Sequence, residues 1–309
     1  MRQRHFVSLK DYEPSEILEI FALARQIKKS PGKYSQALAG RILAMIFQKP
    51  STRTRVSFEA GMLQLGGSAI FLSAGDIQLD RGETIADTAR VLSRFVNGVM
   101  ARVFKHEDIL DLARYGSVPV INGLSDLLHP CQALADYFTI QELRGDLAGR
   151  KITYVGDGNN VCHELMMGAA KLGMAMSAAT PKGYEPNALI VKSAVREAQR
   201  TGAPAPLLSN DPMEAVQGAD VIYTDVWASM GQETEAQARR NAFQGFTVTS
   251  RMMATAAPDA VFMHCLPAHR GEEVAAEVID GAQSVVFDEA ENRLHTQKAL
   301  LVALLSAAA

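Results

Sequence analysis

Short apolar runs rich in β-formers alternate with longer stretches of helical periodicity along the whole chain, and that rhythm admits few folds. In the first half the strand candidates are Arg41 to Phe47, Ala69 to Leu72, Gly98 to Val103 and Val118 to Ile121. Helical patterns lie between and after them, such as Ile85, Ala89, Leu92 and Val96 in TIADTARVLSRFV, and CQALADYFTIQELRG ending at Gly145. In the second half the candidates are Ile152 to Val155, Met174 to Ala179, Val221 to Thr224, Val261 to Cys265 and Ser284 to Phe287. Alternation of this kind means parallel sheets with helices on both faces. The stretch RGDLAGRK, 144–151, combines glycines and charges before a fresh strand and is the natural boundary. The reading is an α/β protein of two domains, each a parallel sheet flanked by helices, with the active-site cleft between them. The predicted domains are 1–145, joined by a C-terminal helix at about 289–309, and 150–288.

A chain of 309 residues suits two domains of ordinary size. With 48% hydrophobic and 21% charged residues it has the profile of a soluble protein with a large core. A net charge of -3 argues against a general nucleic-acid binder, so local basic clusters need local explanations. No run is long and apolar enough to span a membrane. The first residues, MRQRHFVSLKDYEPSE, lack the apolar core of a secretory signal. Three widely spaced cysteines, Cys131, Cys162 and Cys265, give no disulfide framework and fit a reducing compartment. Cytoplasm is the expected location.

In open α/β sheets ligands bind beyond the carboxyl ends of the strands. The first strand runs into KPSTRTRVSF, 49–58, where Ser51, Thr52 and Thr54 suit a helix start but Lys49, Arg53 and Arg55 do not. A cation at a helix N-terminus costs a few tenths to about 1 kcal/mol. Capping accounts for the hydroxyls and not for the charges. An anion site accounts for both, because a bound phosphate reverses the sign of the dipole penalty. Other strand ends supply Arg102, closing GVMAR, and then His129 and Gln132, which flank a Pro130 suited to a first helical turn.

In the second half, VGDGNNVCHE fails as a dinucleotide fingerprint, since Val161 stands at the third glycine position and no acid closes the next strand. Asn159 and Asn160 are instead placed to hydrogen-bond a polar ligand. Asp225 closes VIYT, with Ser229 and Met230 after it, and Cys265 follows VFMH. His264, Cys265 and His269 make too thin a set for a metal site, so no metal is expected. Nor does any Walker A sequence occur.

Taken in order, STRTR, HPCQ, DVWASMG, HCLP and EAENR resemble the ornithine carbamoyltransferases of the aspartate/ornithine transcarbamylase family, over most of the chain from about residue 40. The resemblance implies a carbamoyl-phosphate-binding first domain and an ornithine-binding second one. It implies transfer of a carbamoyl group to the δ-amino group of L-ornithine, without a cofactor. By the family's motifs, Ser51, Thr52, Arg53 and Thr54 form the carbamoyl-phosphate loop, and Arg102, His129, Gln132 and Arg293 make further contacts. Gln78 resembles a residue that some bacterial members lend to a neighbouring subunit's site. Asn160, Asp225, Ser229, Met230, Cys265 and Leu266 match the ornithine contacts, and Arg102, His129, Asp225 and Cys265 are the expected catalytic set. Homotrimers, sometimes assembled further, are implied, with small-molecule substrates and no nucleic-acid or membrane partner. The alternatives are another acceptor amine, such as putrescine or an N-acylated ornithine, or a non-catalytic carbamoyl-phosphate-binding regulatory protein.

Overall fold

The computed structural model describes residues 3–73, 82–228 and 235–306. Contacts divide the chain into two compact units, Met1–Phe138 with Glu291–Ala309, and Thr139–Ala290. In the first unit the strands are β1 (Ile42–Phe47), β2 (Ser68–Ser73), β3 (Gly98–Arg102) and β4 (Val120–Leu124), all parallel, in the order β2-β1-β3-β4. Its helices are α1 (Pro14–Lys29), α2 (Thr52–Gln64), α3 (Ile85–Leu92) and α4 (His106–Tyr115). Helix α5 (Pro130–Arg144) leads out of it.

The second unit carries β5 (Lys151–Val155), β6 (Ala175–Ala179), β7 (Leu207–Ser209), β8 (Val221–Thr224) and β9 (Val261–His264), parallel in the order β7-β6-β5-β8-β9. Its helices are α6 (Asn160–Leu172), α7 (Ala188–Thr201), α8 (Pro212–Ala215), α9 (Ala236–Ala242), α10 (Ser250–Thr255) and α11 (Ala276–Ile279). Helix α12 (Val286–Leu305) starts in this unit, and its residues from Glu291 onward belong to the first. This is the two-domain α/β fold that the alternation predicts.

The central strands are buried on both faces, as parallel strands under helices are: in ILAMIF every residue after Ile42 is buried, and GVMAR, VINGL, VIYT and VFMH are buried throughout. Ala44, Ile46, Val99, Ala101 and Val120 pack with Ala89, Ile109 and Leu112 in the first unit. Val155, Ile222 and Phe262 pack with Trp227, Phe243 and Phe246 in the second. Full burial of each valine, leucine, isoleucine or phenylalanine among them contributes about 1.5–3 kcal/mol.

One expected strand is absent. Ser284 to Phe287 is not a strand: Phe262 bonds Gln283 O and Val285 N, after which the chain turns helical at Val286. Two acids, Asp288 and Glu289, in the first turn of α12 favour that helix start. The fifth strand of the second sheet is instead Leu207–Ser209, an edge strand of three residues that the apolar pattern does not announce.

In both sheets the strand order reverses beside the first strand, between β1 and β3 in one and between β5 and β8 in the other. At such switch points the loops leaving adjacent strands diverge and open a crevice. The residues beyond those four strand ends are the ones at issue.

Candidate active site

In the first unit the crevice lies beyond β1 and β3. Ser51 caps α2, its Oγ accepting from Thr54 N at 3.3 Å. Thr54 is buried, and its Oγ1 accepts from Ser51 Oγ at 3.2 Å and from Arg293 Nη2 at 3.3 Å. With two donors on that oxygen, the threonine's own proton is left to aim elsewhere. Arg293 also donates through Nη1 to Gln132 Oε1 at 2.5 Å, while Gln132 Nε2 donates to Asp136 at 2.8 Å. Arg102 is buried at the end of β3, where the register slips between Ala101 and Arg102, and its carbonyl accepts from Gln48 N.

His129 precedes α5, its carbonyl accepting the first helical N–H groups, those of Gln132 and Ala133. Burial holds its imidazole well below the ordinary histidine value near 6.5, and Arg293, Arg102 and Arg53 push it further the same way. The ring is therefore neutral, and its buried Nδ1 has no hydrogen-bond partner among the described residues. Cationic groups gather around a neutral donor, an arrangement suited to an anion with a polar carbonyl attached.

The other two cations of the KPSTRTR stretch have separate explanations. Arg55 lies over the Phe71 ring at 3.8 Å and pairs with Glu59 along α2, and Lys49 lies over Phe104 at 4.7 Å. Of the three, Arg53 is the one whose charge acts on His129. Thr52 is the exposed first residue of α2.

In the second unit the crevice lies beyond β5 and β8, with β9 next to it. Asp225 is buried, and its Oδ1 accepts from Val226 N at 2.8 Å and from Cys265 Sγ at 3.0 Å. Its Oδ2 accepts from Asn159 Nδ2 at 2.7 Å. Gly158 lets the loop after β5 pass close to its neighbours, since a Cβ there would lie 2.3 Å from Pro186 N. Asn160, half-buried, opens α6.

The loop after β9 is held from beneath. His264 N donates to Glu289 Oε2 at 2.9 Å, and Glu289 Oε1 accepts from Tyr223 OH at 3.1 Å. His264 Nδ1 accepts from Leu266 N at 2.8 Å, which leaves the ring proton on Nε2, facing Glu273 Oε1 at 3.3 Å. Both ring nitrogens are thus engaged, so His264 positions Leu266, whose φ is 56°, and is no free metal ligand. Alongside, Asp157 pairs with Arg239 at 2.9 Å, and Arg239 also donates to Trp227 O at 2.8 Å. Burial lifts the Asp157 carboxyl to about 6 against the pull of Arg239.

Contacts thus join Ser51, Thr54, Gln132 and Arg293, with Arg53, Arg102 and Arg293 acting on His129. Asp225 and Cys265 are directly bonded. Gln78, Ser229 and Met230 lie outside the described residues. Glu289, Glu273 and the Asp157–Arg239 pair are supporting groups that the sequence reading did not assign, while Asn159, read there as a contact to a polar ligand, donates to Asp225. Only Asn159 carried a local signal, as a capping residue between a strand and a helix.

Two family descriptions match the chain: "Aspartate/ornithine carbamoyltransferase, carbamoyl-P binding domain" over residues 4–142, and "Asp/Orn binding domain" of the same family over 148–304. An ornithine carbamoyltransferase of Pyrococcus abyssi is 59% identical over 307 residues, 99% of this chain and 96% of that one. One of Pyrococcus furiosus described as anabolic is 58% identical over 304 residues, 98% of this chain and 96% of that one. The solved structure of the ornithine carbamoyltransferase from Pyrococcus furiosus superposes with a TM-score of 0.95 at 57% identity, covering 99% of this chain and 98% of that one.

Proposed function

The chain belongs to the aspartate/ornithine carbamoyltransferase family, and from that membership we propose how its residues divide the work. It transfers the carbamoyl group of carbamoyl phosphate to the δ-amino group of L-ornithine, giving L-citrulline and phosphate. One observation supports the assignment of the phosphate half above the rest: Arg293 donates both to Thr54 at the start of α2 and to Gln132 on α5, joining three of the residues assigned to that ligand.

Carbamoyl phosphate joins an electrophilic carbonyl to a phosphate leaving group. Attack by the amine puts negative charge on the carbonyl oxygen and then on the departing phosphate. Ser51, Thr52, Arg53 and the N–H groups opening α2 hold the phosphate, with the helix dipole now favourable. Thr54, Arg102 and His129 stabilise the carbonyl oxygen, His129 donating a hydrogen bond without adding another cation. Each such preorganised donor is worth about 2.7–4 kcal/mol. Gln132, whose Oε1 holds Arg293, is assigned to the carbamoyl NH2 and fixes the face of attack.

The amine must attack neutral, although an alkylamine with a pKa of about 10.4 is almost wholly protonated at pH 7. Asp225 and Cys265 orient it, and a departing phosphate oxygen takes the final proton, so no dedicated base is needed. Asn160, with Leu266 and the Ser229-Met230 segment, reads the α-amino and α-carboxylate groups. A substrate lacking those groups leaves polar atoms unpaired and is rejected.

The assay is product formation from carbamoyl phosphate with ornithine, putrescine or N-acetylornithine as acceptor. Ornithine is expected to be preferred strongly, and a preference for either other amine would overturn the acceptor assignment. A biosynthetic direction is supported by the relative described as anabolic. We assign the chain to the cytoplasm and to a homotrimer or assembly of trimers. Exposed Val56, Leu63 and Phe95 on the first unit support association, and light scattering giving a monomer mass would refute it.

A further inference from the structure

Asn159 is bound on both sides of its amide. Its Oδ1 accepts from Val161 N at 3.0 Å and Cys162 N at 3.2 Å, capping α6, and Tyr154 OH lies 3.3 Å from the same oxygen. The amide therefore cannot be turned over without setting its NH2 against three donors. Its Nδ2 is fixed toward Asp225 Oδ2, 2.7 Å away.

This matters because a carboxylate offers about four lone-pair directions. Among the described residues, Val226 N and Cys265 Sγ take two on Oδ1, and Asn159 takes one on Oδ2. One direction on Oδ2 is left. Aspartate caps a helix about as well as asparagine does, so capping alone gives no reason for an amide here. The donor toward Asp225 does.

We propose that Asn159 is a positioning residue that fixes the Asp225 carboxylate and leaves it a single acceptor direction, which specifies where the attacking amine of the substrate sits. This role rests on the acceptor half of the reaction proposed above. The other ionisable groups facing Asp225 are Tyr154 on β5, Asp157 beyond it and Cys265 beyond β9, with Arg239 of α9 paired to Asp157.

Asn159→Asp is the deciding variant. It keeps the cap but sets an oxygen against Asp225 Oδ2, and two carboxylates so close cannot both ionise. Asn159→Ser keeps a capping oxygen but is too short to put the amide N–H against Asp225 Oδ2, so it decides the question if the aspartate variant fails to fold. Thermal unfolding and citrulline formation are measured for both beside the wild type, across pH. Both variants should lose roughly 10²-fold in kcat/KM for ornithine, with the KM for carbamoyl phosphate unchanged. The acid limb of the aspartate variant alone should move to higher pH. Wild-type ornithine kinetics and pH profiles in both variants would reduce Asn159 to a helix cap and overturn the proposal, leaving the reaction intact. A wild-type protein that makes no citrulline overturns both together.

Discussion

Replacing Arg53 with alanine should move stability and function in opposite directions. Arg53 is the second residue of α2, half-buried, where the helix dipole disfavours a cation by about 0.3–1 kcal/mol. Removing it leaves the fold as stable or slightly more so, a rise in unfolding midpoint of at most about 2–4 °C. The ligand side loses a charge-assisted hydrogen bond to phosphate, worth about 1.5–3 kcal/mol. At 1.36 kcal/mol per tenfold, that is about a 13- to 160-fold fall in kcat/KM for carbamoyl phosphate. The assay is citrulline formation at varied carbamoyl phosphate with ornithine saturating, paired with thermal denaturation of the same preparation. Unchanged kinetics would remove the anion site from the account. A kinetic loss matched by a lower unfolding midpoint would mean that Arg53 serves the fold rather than the ligand.

Further expectations follow from the same geometry. His129 is buried neutral with its folded value below the ordinary 6.5, so the unfolded chain binds the proton first. Its contribution to stability is complete above about pH 6.5 and is lost as pH falls from there toward the folded value; His129→Gln should flatten that part of a stability-pH curve, and an unchanged slope would contradict the burial argument. Asp157→Asn should cost about 1.5–3 kcal/mol by removing the charged acceptor of buried Arg239, which keeps Glu235 and Trp227 O as partners, and the double variant Asp157→Asn, Arg239→Met should recover much of that loss in chemical denaturation. Cys265→Ala should lower kcat/KM for ornithine while leaving the KM for carbamoyl phosphate alone; an equal loss on both substrates would break the division of labour between the half-sites.

Much of the fold was readable because buried parallel strands are continuous apolar runs. Val221–Thr224 was bounded to the residue. The edge strand Leu207–Ser209 escaped because an edge position needs no long apolar run, and its leucines are 55% and 41% exposed. Ser284 to Phe287 misled in the opposite way, since three apolar residues, Val285, Val286 and Phe287, at a helix start look like a strand when only their hydrophobicity is read. The anion site was legible in part, because Arg53 conflicts with its own helix and Arg102 closes an apolar strand. Gln132 and Arg293 carried no comparable local signal: their meaning is a hydrogen bond spanning 161 residues of sequence. The same is true of Glu289 with His264, where each side chain is ordinary in its own segment and acquires a role from topology alone.

The most direct test follows the transferred carbon itself. Carbamoyl phosphate labelled with 13C at its carbonyl is mixed with the purified protein and L-ornithine, and the products are followed by NMR alongside phosphate release. The account predicts the label in the ureido carbon of citrulline, with one phosphate released per citrulline formed. Phosphate released without labelled citrulline, or label appearing on a different amine, would contradict it.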